Sequence, residues 1–156
     1  MGSSLDMVMV RIKNLFRAAG IPTPDYAAVR TLDDASLAAE RLGFPLFIKP
    51  SGQGSSVGMA KVSASAELSD AVIEALRYGD TALVETCVTG DEFTVSVLQG
   101  RALPSIRIET PRDFYDYRAK YESDRTKYIC PGTPGDAEER RYASLAIAAF
   151  RELGLA

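Results

Sequence analysis

A lysine followed by a loop rich in glycine and serine constrains the fold of this chain more than any other feature. Lys49 ends the apolar run 44–49, and residues 50–58 then include three glycines and three serines before apolar residues return at 59–62. The pattern predicts two buried strands joined by a flexible loop. Glycine lets backbone N–H groups approach a polyanion, serine adds hydroxyl donors and lysine adds positive charge, so the segment is typical of a phosphate-binding loop.

This loop differs from the Walker A motif, because its lysine precedes the glycines and no G-x-x-x-x-G-K-[ST] pattern is present. From composition alone, a plain flexible turn between strands is the simpler interpretation. Lys49 taken by itself would likewise be interpreted as an exposed lysine at the end of a strand.

Hydrophobic periodicity along the rest of the chain predicts an α+β fold. Asp33 or Asp34 is expected to cap the second helix, and Asp136 the last one. The tyrosine-rich residues 110–135 show no sustained period and are predicted to form a long loop. The predicted helices are 8–19, 35–42, 66–78 and 137–153, and the predicted strands are 26–29, 44–49, 59–62, 82–85 and a hairpin of 92–98 with 102–108.

Composition excludes several classes of protein. The 18 basic and 21 acidic residues are interleaved and give a formal charge of −3, which argues against a nucleic-acid partner. No apolar run approaches the roughly 20 residues that cross a bilayer, so no membrane span is expected. Cys87 and Cys130 are the two cysteines, and the chain contains no histidine. It therefore lacks the usual ligands of a zinc site, and it cannot form a Ser-His or Cys-His nucleophile pair. We expect a cytoplasmic protein with reduced cysteines, in which residues 1–6 are a tag remnant or a disordered start.

Several separated segments occur in the order typical of one family: AAGIPTP (18–24), KPSGQGSSVGM (49–59), LVETCVTGDEFTVSVL (83–98), LPSIRIE (103–109), FYDYRAKY (114–121) and YICP (128–131). In these segments the chain resembles the D-alanine:D-alanine ligases of the ATP-grasp superfamily. The resemblance implies an ATP-grasp fragment, with an ATP-binding lobe of antiparallel sheet and flanking helices at 7–110. A lid loop and the first helix of an incomplete C-terminal catalytic lobe would follow at 111–156.

The resemblance also implies roles around the ATP phosphates and the substrate. Lys49 and Lys120 are similar to family lysines that bind the nucleotide phosphates, and Ser55 and Ser56 are similar to the serines of the loop. Ser55 and Tyr121 resemble residues that orient the first substrate, so the predicted catalytic residues are Ser55, Lys120 and Tyr121. The lid that carries Lys120 and Tyr121 is expected to close over the site, which would protect an acyl phosphate from water.

For the nucleoside, the resemblance points to two acidic positions. The segment Glu85, Thr86, Cys87 and Val88 resembles a linker whose backbone and glutamate bind adenine. Glu92 resembles the carboxylate that holds the ribose hydroxyls. Without the resemblance, both glutamates would be interpreted as solvated charges.

The implied activity is the ATP-dependent joining of two D-alanine molecules through an acyl phosphate, a step of peptidoglycan precursor synthesis. Mg²⁺ is expected as a cofactor with ligands beyond residue 156, so the 156-residue chain is predicted to bind nucleotide at most. Met9 stands where many family members carry a lysine that touches the nucleotide, which predicts weaker binding. Full-length relatives are expected to be homodimers, and this chain is expected to self-associate through an uncovered apolar edge.

Two other interpretations stay open from the sequence. The chain is alternatively a stand-alone nucleotide-binding or regulatory module, which nucleotide titration with and without a partner would reveal. It is alternatively part of an ATP-grasp ligase with a different specificity, such as a D-alanine:D-lactate ligase, which substrate profiling would reveal.

Overall fold

The computed structural model describes residues 8–53, 56–110 and 125–155, and its contacts group them into two units. The first unit comprises residues 8–14 and 23–88, and the second comprises 15–22 and 89–155. Helix α1 (Val8–Ala18) contributes to both. The contacts group residues 89–110 with the second unit. The predicted boundary between lobes after residue 110 stays a prediction.

A four-stranded antiparallel sheet forms the centre of the first unit. Its strands are β1 (Tyr26–Val29), β2 (Leu46–Pro50), β3 (Ala60–Val62) and β4 (Ala82–Thr86), arranged in the order β1-β4-β2-β3. The central strands pair so that Ile48 lies opposite Val84 and Phe47 lies opposite Glu85. These strands match the sequence predictions to within two residues at each end.

One face of this sheet is covered by two helices, α2 (Leu32–Leu42) and α3 (Leu68–Leu76), with a short 3₁₀ turn at Ser65–Glu67 before α3. Side chains alternate along a strand, so every second residue reaches the helices. The resulting core includes Val29, Leu46, Ile48, Val62 and Val84 from the strands and Ala35, Ala38, Ala39, Leu68, Ala71, Val72 and Ala75 from the helices. The remaining strand residues, among them Phe47, Lys49 and Glu85, therefore belong to the opposite face.

The start of α2 corrects one sequence prediction. Thr31, rather than Asp33 or Asp34, is the N-cap, and its hydroxyl oxygen accepts a hydrogen bond from the Asp34 N–H at 3.1 Å. Asp34 occupies the third helical position and accepts from the Arg30 N–H at 3.4 Å. Hydrogen bonds from the Thr31 side chain and the Arg30 backbone lower the pKa of Asp34. The helix therefore begins three residues earlier than predicted.

The second unit contains two small antiparallel sheets. Strands β5 (Glu92–Thr94), β8 (Ile106–Glu109) and β9 (Lys127–Ile129) form one sheet in the order β5-β8-β9. Strands β6 (Val97–Leu98) and β7 (Arg101–Ala102) form the other. Helix α4 (Asp136–Glu152) follows and packs on β6 and β7.

The hairpin predicted for 92–98 with 102–108 is present, but one extra residue interrupts its ladder. Thr94 pairs with Ile106 and Val97 pairs with Ala102, so two residues on the first strand face three on the second. Pro104 lies among these three and has no N–H to donate to a ladder. The prediction of a loop over the whole of 110–135 is wrong in part, because strand β9 lies within this range.

A hydrogen-bonded carboxylate connects the first turn of α4 to the sheet region. The Glu139 carboxylate accepts hydrogen bonds from the backbone N–H and the hydroxyl of Ser105, and from the Thr133 hydroxyl at 2.7 Å. These bonds, of which the one from the Ser105 N–H has the largest effect, lower the pKa of Glu139. The helix itself is capped by Gly135 instead of the predicted Asp136.

None of the described helices combines the length and the apolar character that a membrane span requires.

Candidate functional site

A buried carboxylate between two lysine ammonium groups is the main feature of the first unit. Lys13 Nζ lies 2.8 Å from Glu85 Oε1, and Lys49 Nζ lies 2.7 Å from Glu85 Oε2. The Glu85 and Lys13 side chains are 7% and 8% exposed, whereas the Lys49 side chain is 23% exposed. These three residues, called the lysine–glutamate cluster below, carry a net charge of +1.

Strand register explains why Lys49 and Glu85 meet. Glu85 on β4 lies opposite Phe47 on β2, and Lys49 follows Phe47 by two residues. Residues two apart on a strand share a face, and diagonal neighbours on adjacent strands lie within reach of long side chains. Both residues therefore project from the sheet face opposite α2 and α3.

Lys13 reaches the same carboxylate from helix α1. Its ammonium group also lies 5.1 Å from the centre of the Tyr26 ring, a distance suited to a cation–π interaction. The Tyr26 hydroxyl donates a hydrogen bond to Asn14 Oδ1 at 2.7 Å. Tyr26 itself pairs with Glu85 across β1 and β4. Helix and sheet therefore fix Lys13 from two directions.

Glu85 retains hydrogen-bonding capacity. Its Oε1 atom is buried and has no regular hydrogen-bond partner among the described residues, although the Lys13 ammonium lies close enough for an ion pair. A carboxylate offers about four acceptor positions, so contacts with two ammonium groups leave some of them unused. A ligand that donates an N–H here would therefore gain a preformed acceptor.

The loop after Lys49 is held by its two ends. Ser51 is buried, and its N–H donates to the Thr81 carbonyl at 3.0 Å. Ser56 is half-buried with a φ of +61°, and Gly58 has a φ of +67°. A Cβ at Gly58 would lie only 2.6 Å from Tyr78 Cδ2. Close packing and a left-handed backbone thus require glycine where the loop returns to β3.

The segment after Glu85 is extended, and part of its backbone is already used. The Thr86 N–H donates to the Asp25 carbonyl at 2.9 Å, and the Cys87 N–H donates to the Pro45 carbonyl at 3.0 Å. Val88 is 69% exposed, and its N–H donates to no backbone carbonyl in the described part of the chain. Of the backbone N–H groups of Thr86, Cys87 and Val88, that of Val88 is therefore the one available to a ligand.

Glu92 is exposed at the start of β5 and belongs to the second unit. The predicted catalytic residues Ser55, Lys120 and Tyr121 lie outside the described residues. Their roles, like that of Glu92 at the ribose, stay predictions.

Sequence reasoning missed Lys13, although a signal for it was present. Val10 and Lys13 are the buried residues of α1, three positions apart and hence on one face of the helix. A lysine on the apolar face of a helix needs a buried counter-charge. Met9, which lacks the expected charge, is half-buried one turn before Lys13.

Comparison with known proteins identifies the family. The sequence model described as D-ala D-ala ligase C-terminus matches residues 15–156. The chain belongs to this family. D-alanine--D-alanine ligases of Alcanivorax borkumensis (strain ATCC 700651 / DSM 11573 / NCIMB 13689 / SK2) and Xylella fastidiosa (strain Temecula1 / ATCC 700964) are similar to it. They are 44% and 46% identical over 154 and 157 residues, or 99% of this chain in both cases.

Solved structures of this ligase family show the same fold. The VanG D-Ala:D-Ser ligase from Enterococcus faecalis is 28% identical with a TM-score of 0.80, over 97% of this chain and 46% of that one. The D-alanine--D-alanine ligase from Bacillus anthracis is 31% identical with a TM-score of 0.78, over 96% and 49%. The same enzyme complexed with ATP gives 25% identity and a TM-score of 0.74, over 96% and 47%. The resemblance seen in the sequence and the α+β ATP-grasp fold are thereby confirmed.

The chain spans about half the length of its curated family relatives, 48% and 51% of the two named above. Within the described residues, no group of three or more Cys, Asp and Glu side chains lies close enough together to hold a metal ion. Ligands for Mg²⁺ beyond residue 156 stay a prediction.

Proposed function

We propose that this chain is the nucleotide-binding part of an ATP-dependent ligase that joins two D-alanine molecules through an acyl phosphate. The observation that carries the proposal is the lysine–glutamate cluster, which offers a partly exposed ammonium beside a buried carboxylate with unused acceptor capacity. An ammonium group can bind phosphate, and a carboxylate can accept a hydrogen bond from an amino-substituted base. The names of the relatives supply the substrate, D-alanine.

In this proposal Lys49 binds the nucleotide phosphates, because its ammonium has three donors and Glu85 occupies one of them. Glu85 accepts a hydrogen bond from the exocyclic amine of adenine, and the Val88 N–H donates to a ring nitrogen. Guanine and hypoxanthine carry a carbonyl in place of that amine, which would face the carboxylate unfavourably. The site should therefore prefer ATP to GTP and ITP.

The remaining roles follow from the resemblance. Ser56 would line the phosphate loop, Glu92 would bind the ribose, and Ser55, Lys120 and Tyr121 would orient the first D-alanine and the terminal phosphate. Mg²⁺, when bound, would neutralise phosphate charge during the transfer. The dipeptide would be used in peptidoglycan synthesis, and the enzyme would act in the cytoplasm as a homodimer.

Titration of the 156-residue chain with a fluorescent ATP analogue tests the nucleotide part of the proposal. We expect saturable binding that unlabelled ATP reverses and GTP does not, and that Lys49→Met weakens. Arg77→Met, which removes an exposed charge of α3's C-terminal cap, is the matched control. Absence of ATP binding to the unchanged chain would contradict the proposal.

The ligase part is tested by incubation with ATP, Mg²⁺ and D-alanine. We expect dipeptide from a protein of the relatives' full length and none from the 156-residue chain, which spans about half of that length. D-serine and D-lactate belong in the same assay, because one structural neighbour is titled a D-Ala:D-Ser ligase. A full-length protein that prefers either of them would support the alternative specificity.

A further inference from the structure

We infer that Lys13 is a positioning residue that keeps the Lys49 ammonium available to phosphate by sharing the Glu85 carboxylate. The inference rests on the proposed function in one respect, namely that phosphate is what Lys49 binds. Neither the family match nor the sequence patterns assign a role to Lys13. The role is inferred from the contacts of Lys13 in the lysine–glutamate cluster.

The charges of the cluster explain the role. With Lys13 in place, two ammonium groups face one carboxylate, and a net charge of +1 stays at the site. Without Lys13, Glu85 and Lys49 would form a closed neutral pair in a poorly solvated environment, where ion pairs are strong. A phosphate would then have to compete with Glu85 for Lys49.

The contacts of the two lysines differ in the way this role requires. Lys13 is almost fully buried, with Glu85 on one side and the Tyr26 ring on the other, so it is poorly placed to touch a ligand itself. Lys49 is three times as exposed, and its remaining donors can reach a ligand. One lysine therefore neutralises the carboxylate and the other is left to bind.

Binding of ATP and adenosine to Lys13→Met tests this division. We expect ATP affinity to fall by roughly tenfold or more, since a charge-assisted contact is lost, whereas adenosine affinity changes by less than about threefold. Lys13→Arg should restore most of the ATP affinity, because it restores the charge. Arg11→Met removes an exposed positive charge from the same helix and should leave both affinities unchanged.

A double variant separates charge sharing from a merely structural effect. In Lys13→Met combined with Glu85→Gln, the neutral amide no longer captures Lys49, while its carbonyl oxygen can still accept from adenine. ATP affinity, expressed relative to adenosine affinity in the same variant, should therefore recover compared with Lys13→Met alone. A purely structural role predicts the opposite, since two buried substitutions disturb packing more than one. A double variant whose ATP affinity relative to adenosine is no higher than that of Lys13→Met would overturn the inference.

A measurement without nucleotide keeps this inference separate from the proposed function. Acylation of Lys49 by an amine-reactive reagent, followed by mass spectrometry of the peptide, reports how firmly Glu85 holds the ammonium. Lys13→Met should slow the labelling of Lys49 severalfold, and the double variant should restore it. Unchanged labelling would overturn the role of Lys13 even if ATP binds, whereas slowed labelling in a chain that binds no ATP would contradict only the proposed function.

If Lys13→Met fails to fold, Lys13→Gln replaces it. Glutamine keeps a donor beside Glu85 but lacks the charge, so the same loss of ATP affinity and the same slower labelling are expected. Wild-type values for both in a folded Lys13→Gln variant would show that hydrogen bonding, not charge, is what position 13 supplies, and would end the inference.

Discussion

At the scale of single residues, Glu85 illustrates how a buried charge depends on its neighbours. Removing a carboxylate from water costs several kcal/mol, which nearby opposite charges offset only when they are well placed. Here two ammonium groups lie within 2.8 Å of its oxygens. Such a cluster adds little net stability, but loss of the shared carboxylate would leave two ammonium groups without a counter-charge.

This asymmetry predicts unequal effects of two substitutions. Glu85→Gln leaves the buried Lys13 without a counter-charge and should destabilise the first unit by about 3–5 kcal/mol. Lys49→Met leaves Glu85 paired with Lys13 and removes a more exposed group, so its effect should be clearly smaller. Urea unfolding of both variants decides the order, and an equal or larger loss for Lys49→Met would contradict the geometry described.

Gly58 gives a second prediction at this scale. Alanine there would meet a left-handed backbone, which costs about 1–2 kcal/mol for an L-residue, and would also press on the Tyr78 ring at 2.6 Å. Gly43→Ala is the matched control, because Gly43 has a φ of +74° but open space around its Cβ position. Thermal unfolding should show a larger loss for Gly58→Ala, and equal losses would mean that Tyr78 moves aside freely.

At the scale of elements, the hydrogen bonds of Glu139 connect α4 to Ser105 and Thr133, and they make the second unit sensitive to acid. The lowered pKa of Glu139 means that folding favours its charged form. The resulting stabilisation is fully present above the ordinary pKa of about 4.5 and is lost as pH falls through the lower folded value.

Glu139→Gln should therefore lower the melting temperature at pH 7. It should also reduce the further decrease in melting temperature that occurs as the pH falls below about 4.5. Glu138→Gln removes an exposed carboxylate from the same turn and serves as the control. Circular dichroism at several pH values measures both. A Glu139→Gln variant with the same acid sensitivity as the unchanged chain would assign that sensitivity to another group.

The elements also show what the sequence could predict and why the rest escaped prediction. Hydrophobic periodicity is strong in strands β2 and β4 and in helix α1. It predicts these elements because it determines which of their faces is buried. The bulge at 103–105 depends on which residues on two strands face each other, and periodicity within one strand does not contain that information. Lys13 escaped for the same reason, because its partner Glu85 is 72 residues away in sequence.

At the scale of the whole molecule, the two units differ in how deeply they bury side chains. Leu46, Ile48 and Val84 are fully buried in the first unit, whereas no residue of helix α4 in the second unit is buried. Exchange of backbone amide hydrogens requires opening, and opening is rarest where apolar burial is greatest. We therefore expect the slowest amides in β2 and β4 and faster exchange along α4.

Ile48→Ala tests this expectation. Removal of a fully buried isoleucine side chain should cost about 2–5 kcal/mol, and the amides of β2 and β4 should exchange faster in proportion. Ile73→Ala, at a position 48% exposed on α3, is the control and should cost far less. Hydrogen exchange followed by mass spectrometry measures both variants, and α4 amides slower than those of β2 would contradict the prediction.

The central sheet of the first unit assigns different tasks to its two sides. Side chains toward α2 and α3 form the apolar core, whereas Lys49 and Glu85 on the reverse side form the proposed binding site. Polypeptides built this way can diversify their ligand preference by substitutions at alternate strand positions while the packing beneath is left intact. A mutational library at the half-buried Phe47 and Lys49 should thus yield more well-folded variants with altered nucleotide preference than one at the buried Glu85.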